Sequence, residues 1–547
     1  MSLRQREEIQ KMLRKINSGL FLCGLSSVLL VLSFPKTDFS FLGWMALIPL
    51  MSALDAKALR QAFGLSYLCG VLFFGGTLHW VIHVTALGAV LLVLYLALYF
   101  GAFGLGYRFF SGQRFLVRLS ALSSLWTVLE FIRAHFLTGF GWASLGHSQY
   151  KNLAVIQIAD LAGVYGVSFL MVMVNVCLKE ILSAGFLRRR FCREIFSGVI
   201  IVVFVCFSVL TYGILRLRSF EKTAPSVSET SGGNQGVTIA VVQANTPQEM
   251  KWHEPAWPVI MEQYLRLTKE AAGQKPDLII WPETSYPGIL WEDEELFGRL
   301  RDFIRRLGVP LLLGSVVKEG EDYYNSAILL SGSGEIVQQY RKVHLVPFGE
   351  YIPLRRFLPF LSQIVPIADF ASGREYTVFP MDFGKTVMKA PGHFSVLICF
   401  EDTVAELSRA FVRHGAQLLV NITNDAWFKD TKAPFLHLQS SVFRTIENRR
   451  SLVRAANTGV SCFVAPSGRI VGGVEDEDRK KTYIRGFAVE TVTLNDQKTF
   501  YTKFGDVFLL VCAGCLLGAF RHTHRVFCLR SIANKQNEGR TEPQTEP

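Results

Sequence analysis

Two hydrophobic rhythms divide the chain. Up to about residue 215, long apolar runs are separated by short polar breaks; between about 237 and 500, short apolar runs alternate with amphipathic stretches. A helix crossing a bilayer needs about 20 mostly apolar residues, whereas a short continuous apolar run bounded by turn residues reads as a buried strand. The long runs lie near 18–34, 40–54, 62–85, 87–107, 116–136, 152–178 and 195–215, with one more near 505–520. They predict about eight membrane spans, the second and the last being short. A cleaved signal peptide fits the first run less well, because it ends in Pro35-Lys36 without a small-residue cleavage site and further spans follow it.

Charge follows the same division. With the N-terminus in the cytoplasm, one side of the membrane collects residues 1–16, Lys57 and Arg60, Arg108 and Arg114, the Arg188-Arg189-Arg190 loop, and Arg521, Arg525 and Arg530. The other side receives Lys36 and Lys151, and only Arg216 and Arg218 run against the trend. Positive residues favour the cytoplasmic face, so both termini are placed there and the large polar segment outside. The expected organisation is a basic N-terminus (1–16), a membrane domain of about seven spans (17–215), a linker rich in Ser, Thr and Gly (216–236), an α/β domain (237–500), a last span (501–522) and a disordered tail (523–547).

Composition agrees with a bilayer. Half of the residues are hydrophobic, 19% are charged against about 25% in soluble proteins, and mean hydropathy is +0.28. The net charge of +12 raises nucleic acid as a partner, but the basic residues border apolar spans and no zinc-finger spacing or phosphate-binding glycine loop accompanies them. Anionic lipid and topology explain them better, so no nucleic-acid partner is expected. The ten cysteines form no disulfide framework; most lie in or beside apolar runs, Cys512 and Cys515 without metal-ligand neighbours, and only Cys399 and Cys462 fall in the polar segment. His344 and His437 have no second ligand at usable spacing, so no metal is expected.

Within the polar segment, strands such as Val237–Gln243 alternate with helices near 257–273, 293–307, 402–413 and 435–450, the rhythm of an α/β layered domain. Three of its strand exits carry reactive groups: Val396-Leu397-Ile398 leads to Cys399, Asp277-Leu278-Ile279-Ile280 leads to Glu283, and Glu335–Tyr340 leads to Lys342. A thiol needs a base to become a thiolate, and an attack that forms a thioester needs a cation where the oxyanion develops. Glutamate, lysine and cysteine supply those parts. In the fifth apolar run Glu130 and Arg133, three residues apart, could pair along one helix face or meet a lipid headgroup.

This Glu–Lys–Cys set resembles the catalytic triad of the nitrilase (carbon–nitrogen hydrolase) superfamily. The flanking words Lys342–Pro353, Asn421–Phe428 and Arg454–Gly459, with the glycine-aromatic loop Thr138-Gly139-Phe140-Gly141-Trp142, resemble its membrane-embedded branch, the apolipoprotein N-acyltransferases. The resemblance implies an αββα sandwich with Cys399 as nucleophile, Glu283 as general base and Lys342 as oxyanion stabiliser. Glu350 and Glu401 would support the site, and Trp252, Trp427, Phe428 and Asn424 are candidates for substrate contacts and for the loop beneath the site, Trp252 following an exposed Lys251.

By the same resemblance the donor is a membrane phospholipid and the acceptor the α-amino group of a diacylglyceryl-cysteine at a lipoprotein N-terminus. Neither metal nor organic cofactor is required, and the catalytic domain would face the periplasm from a bacterial inner membrane. The sequence departs from the family at Lys429-Asp430, where glycine is usual, and over Phe443–Arg450. The same parts would serve a membrane-tethered amidase that passes the acyl group to water, but about eight spans rather than one anchor favour lipid substrates. A non-enzymatic scaffold conflicts with the intact set of three.

Overall fold

A computed structural model of the chain describes residues 3–186, 193–223, 236–351, 369–381 and 392–538. The Arg188–Arg190 loop, most of the expected linker, Ile352, Pro353 and the end of the tail lie outside the described residues.

Six helices among the described residues are long and apolar enough to cross a membrane: Leu59–His83, Ala86–Phe110, Phe115–Thr138, Ala159–Ala184, Arg193–Phe220 and Val507–Arg525. The other two expected spans are shorter apolar helices, Ser18–Leu32 and Ser40–Leu54. The second of these breaks into a 3-10 turn, Ser40–Trp44, and a helix, Leu47–Leu54, too short at about 12 Å to cross a hydrocarbon core of about 30 Å. It packs inside the bundle instead: Leu47, Leu50 and Leu54 are wholly buried, and the Leu47 amide donates to Asn175 Oδ1 at 2.9 Å. By contrast, Phe204 and Phe207 on the fifth long helix are 68% and 67% exposed, as a lipid-facing surface requires.

Two boundaries move. The helix Arg193–Thr223 runs past residue 215, so the first part of the expected linker is helical, and the helix Val507–Glu538 carries through much of the expected disordered tail. The long run near 152–178 starts as a separate turn, Leu153–Ile156, before the helix Ala159–Phe186, which itself bends at Gly163 (φ 62°).

The polar segment forms two sheets. The first contains β1 (Gly236–Gln243), β2 (Leu278–Ile280), β3 (Ile289–Leu290), β4 (Leu311–Glu319), β5 (Asp322–Leu330) and β6 (Ile336–Arg341). The second contains β7 (Phe379–Pro380), β8 (His393–Ile398), β9 (Leu418–Thr423), β10 (Ser451–Ala456), β11 (Cys462–Val464) and β12 (Ile470–Gly473); β13 (Gly486–Thr493) returns to the first sheet. The orders are β13-β1-β2-β4-β5-β6, with β3 beside β4, and β12-β11-β10-β9-β8-β7.

Alternation along the strands sorts their side chains between two cores. Ile239 and Val241 of β1 point to the core shared with the second sheet, while Ala240 and Val242 pack beneath the helices Trp257–Ala272 and Glu294–Leu307. Helices Ala405–Arg413 and Ala433–Asn448 cover the second sheet, completing four layers. Because that core continues into the membrane helices, the second sheet rests on the membrane half.

Buried polar contacts fix that seat. Arg449 reaches Asp160 Oδ2 at 2.7 Å and Gln157 Oε1 at 2.6 Å, and Gln157 Nε2 donates to the Ser467 carbonyl at 2.9 Å. A further contact between the halves sets His135 Nε2 2.6 Å from Glu406 Oε1. Glu130 and Arg133 do not pair with each other among the described residues. Glu130 Oε1 accepts from Trp126 Nε1 and the Leu145 amide, whereas Arg133 donates to the carbonyls of Phe140 and Trp142 and to Ser144 Oγ. A charge buried among helices must find partners, and here the loop 139–145 supplies them.

Candidate active site

Glu283, Lys342 and Cys399 stand just past strand ends, those of β2 and β8 with parallel neighbours and that of β6 beside antiparallel β5. Residue 283 follows β2, residue 342 follows β6 and residue 399 follows β8, while Asn424 and Asn457 follow β9 and β10 of the second sheet. Such exits are rigid on the strand side and open beyond it. The crowded turn at Glu283 also needs a glycine on the neighbouring strand, since a Cβ on Gly314 would lie 2.6 Å from the Pro282 carbonyl oxygen and 2.7 Å from Glu283 Cα.

The cation is held first by the second carboxylate. Lys342 Nζ lies 2.8 Å from Glu350 and 3.7 Å from Glu283 Oε1. Burial alone would weaken this ammonium, but Glu350 and then Glu283 outweigh it and hold its pKa above the usual lysine value. Asn325 Nδ2 sits between the carboxylates, donating to Glu283 Oε1 and Glu350 Oε1 at 2.8 Å each. The other oxygen of Glu283 accepts from the Asn424 backbone amide at 2.8 Å. Glu283 is thus oriented from both sheets.

Burial pushes the Cys399 thiol well above its ordinary pKa, Glu283 adds to the effect, and Lys342 opposes it without prevailing. The direction of the shift favours the thiol over the thiolate. Cys399 itself adopts φ 54°, the left-handed region that a non-glycine residue enters only when its surroundings hold it there. Its carbonyl accepts from Asn421 Nδ2 at 3.1 Å and His437 Nε2 at 3.2 Å.

Below the thiol lies a closed ionic network. His437 contacts Asp402 Oδ1 at 2.8 Å and Asp425 Oδ1 at 3.1 Å, and Arg454 reaches Asp402 Oδ2 at 3.0 Å and Asn421 Oδ1 at 2.6 Å. Burial works against charge on Asp425, but Arg454 and His437 more than offset it and hold its carboxyl below the usual range. His437 thus braces the backbone at Cys399 through a hydrogen bond. Gly459 leaves the room this network needs, because a Cβ there would collide with Asp425 Oδ2.

Glu401 is not a solvated turn carboxylate. It accepts from Tyr340 Oη at 2.8 Å, from the amides of Val343 and His344 at 2.8 and 2.9 Å, and from the Ile398 amide at 2.7 Å. It ties the segment after Lys342 to the strand that ends in Cys399. Burial raises its pKa to about 7 despite those donors.

The aromatic candidates separate. Trp252 and Trp427 are 53% and 52% exposed at the rim. Phe428 turns toward the membrane half and packs on Trp80 with ring centroids 4.5 Å apart, while Trp142 stacks on His437 at 5.2 Å and lies parallel to Phe400. The loop pinned by Arg133 thus supplies part of the floor. Asn424 lies deeper than a loop-shaping residue alone, its side chain joining Gln248 to Asn457.

Lys251, expected exposed, is buried: its Nζ donates to Thr284 Oγ1 at 3.1 Å and to the Glu283 carbonyl at 3.3 Å, and burial lowers its pKa to about 7. At the departure Lys429-Asp430, Lys429 adopts φ 52°, a conformation in which glycine would be at ease. Asn325 and Lys251 are the site residues that sequence reasoning passed over. A lone amide inside the apolar strand Tyr324–Leu330 was the available signal for the first, since a buried amide must be hydrogen-bonded; nothing in Met250-Lys251-Trp252 marked the second.

Both parts of the chain match known protein families. The Apolipoprotein N-acyltransferase N-terminal domain family matches residues 26–177, and the Carbon-nitrogen hydrolase family matches residues 238–494. The apolipoprotein N-acyltransferase of Geobacter metallireducens is 38% identical over 89% of this chain and 92% of its own. That of Chlorobaculum tepidum is 30% identical over 92% of this chain and 96% of its own. An amidase of Nesterenkonia sp. with a solved structure is 22% identical, covering 52% of this chain and 98% of that one at a TM-score of 0.36. A carbon–nitrogen hydrolase sandwich seated on apolar helices, with relatives matched along nearly their whole length, makes this chain a member of the apolipoprotein N-acyltransferase family.

Proposed function

We propose that the protein transfers an acyl chain from a membrane phospholipid, through a thioester on Cys399, to the α-amino group of the diacylglyceryl-cysteine that begins a lipoprotein. The observation that carries this reading is geometric: the Cys399 thiol shares one site with Glu283 and Lys342, whose Oε1 and Nζ lie 3.7 Å apart, in a domain seated on apolar helices. Such a thiol attacks only if a base takes its proton as the bond forms.

In the first half-reaction Glu283 accepts the Cys399 proton and the sulfur adds to the ester carbonyl. Lys342 faces the developing oxyanion, its charge kept in place by Glu350. Collapse breaks the carbon–oxygen bond, and Glu283 returns the proton to the departing lysophospholipid alcohol. In the second half-reaction the lipoprotein amine adds to the thioester, Glu283 removes its proton, and the carbon–sulfur bond breaks to give an amide and, on reprotonation, the thiol. Donor and acceptor use one site in turn.

The apolar helices beneath the second sheet favour substrates delivered from the bilayer, and the basic loops favour both termini in the cytoplasm with the catalytic domain on the periplasmic side of the bacterial inner membrane. Trp252 and Trp427 at the rim are placed to meet the acyl donor or the lipoprotein peptide.

The test is intact-mass analysis of the purified protein after incubation with phospholipid alone. A single acyl adduct that maps to Cys399, is absent from Cys399→Ala and is discharged by a diacylglyceryl-cysteine peptide is the expected result. Release of free fatty acid with no discharge to the amine would replace the transferase reading by a hydrolase.

A further inference from the structure

The mechanism leaves one strongly charged cavity unused. A cleft of about 420 Å³ opens where the membrane half meets the catalytic domain, within the size range of small-ligand sites, roughly 300–1,000 Å³. From the membrane half it takes Lys36, just past the first helix, and Lys151, in the turn after the fifth apolar run; from the catalytic domain it takes Arg479, Lys480 and Lys481. Only two carboxylates, Asp38 and Asp430, line it with them.

The pairing is incomplete. Lys151 meets Asp38 at 2.7 Å and Lys481 meets Glu475 at 2.9 Å, but Lys36 and Lys480 share Asp430 at 3.7 and 3.8 Å. Arg479 makes no ion pair among the described residues. The lining therefore keeps a surplus of positive charge, and Asp430 is a loosely held carboxylate standing where an anion would sit.

The surroundings specify which anion. One wall is apolar, formed by Phe435, Leu438 and Val460. Directly after Asp38 in sequence, Phe39 and Phe41 are 50% and 62% exposed with rings 6.2 Å apart, on the segment whose Ser40 carbonyl accepts from Gln149 Nε2 at 2.8 Å. Apolar rings exposed beside membrane helices face lipid, and basic side chains at the membrane surface meet lipid phosphate. A freely soluble anion has no use for the apolar wall.

We propose that this cleft binds the phosphate headgroup of an anionic phospholipid, as a lipid site distinct from the acyl-transfer site. The helix Ala433–Asn448 stands between them: Phe435 and Leu438 line the cleft, while His437 reaches the carbonyl of Cys399. The headgroup bridges Lys36 of the membrane half to Lys480 of the catalytic domain, replacing Asp430 as their shared partner, with Lys151 and Arg479 lining the same cleft. Its binding joins the two halves at a second place besides the His135–Glu406 contact.

The inference concerns lipid retention and does not depend on the acyl-transfer reading. It is tested on full-length Cys399→Ala, in which donor turnover is blocked, by native mass spectrometry in detergent micelles carrying phosphatidylglycerol or phosphatidylcholine. The parent should retain one phosphatidylglycerol in preference to phosphatidylcholine. Adding Arg479→Ala and Lys480→Ala together should weaken that first lipid roughly thirtyfold, the expectation for two basic residues at a lipid surface. Lys36→Ala, on the other half, should weaken it as well, so that a folding defect in one variant cannot carry the result.

Equal retention of both lipids, or unchanged phosphatidylglycerol binding in both variants, would overturn the proposal. Displacement of the lipid by inorganic phosphate at equal concentration would overturn it too, by making the cleft a site for free anions.

Discussion

The floor and the rim of the active site are built on opposite plans. On the floor every reactive group stands at a strand end and is held by at least one partner that is itself buried: Glu283 by Asn325 and the Asn424 amide, Lys342 by Glu350, and the backbone of Cys399 by Asn421 and His437. At the rim Trp252 and Trp427 are about half exposed and stand on loops. Proton transfer tolerates little error in position, whereas two chemically different substrates that must enter one site in turn need a border that can adjust. The chemistry is fixed by the sheets and recognition is left to the loops.

Substitutions should therefore fall steeply from floor to rim. Cys399→Ala should reduce acyl transfer to background while leaving the melting temperature within a degree or two, because a small side chain replaces another in a preformed turn. Lys342→Met should lower kcat by roughly 10²–10³-fold, the cost of one group lost from an oxyanion site. It should also leave Glu283 and Glu350 facing each other without their cation. A smaller loss would show that the lysine holds the carboxylates more than it serves the reaction.

Arg449→Ala tests whether the floor depends on the seat below it. The change leaves Asp160 buried with less compensation and should cost about 3–5 kcal/mol of stability, read as an earlier melting transition. Loss of adduct formation below that transition would mean that docking, and not only folding, sets the site.

Lys251→Met sharpens the comparison by pH. In the folded chain Lys251 sheds its proton near pH 7, while in the unfolded chain it keeps it to about 10.4. Between those values the unfolded state binds more protons, so stability should rise with pH, by at most about 1.4 kcal/mol per pH unit. Below pH 7 both states are protonated and the folded state carries the full cost. Methionine should flatten the rise, as followed by thermal melts between pH 7 and 10. Trp252→Ala should have the smallest effect: a several-fold increase in KM, kcat retained, and less than about 1 kcal/mol of stability lost at a half-exposed position.

Much of the floor was legible because its residues announce themselves locally. Continuous apolar runs end at Glu283, Lys342 and Cys399, and the words around them carry a family resemblance. The membrane half was legible by length and polarity wherever a run was long enough, and misleading near residues 40–54, where an apolar stretch is buried inside the bundle and breaks into a turn and a short helix. Partners defined by the third dimension were not legible. Asn325 lies in a strand whose register with β4 sets its direction, and Lys251 looks like a surface residue until its loop folds under Glu283. Glu130 and Arg133 have a spacing that suggests a mutual pair, yet the loop that follows their helix offers nearer donors and acceptors.

That loop has a consequence for modularity. Trp142 belongs to the membrane half by sequence, yet its ring lies on His437 and beside Phe400, directly beneath the nucleophile turn. The helices are thus a wall of the reaction chamber as well as its mooring. A catalytic domain grafted onto another anchor would inherit the complete triad and lack part of the room in which it works. Boundaries drawn between the two halves for engineering or for tracing ancestry would therefore cut through the enzyme's interior.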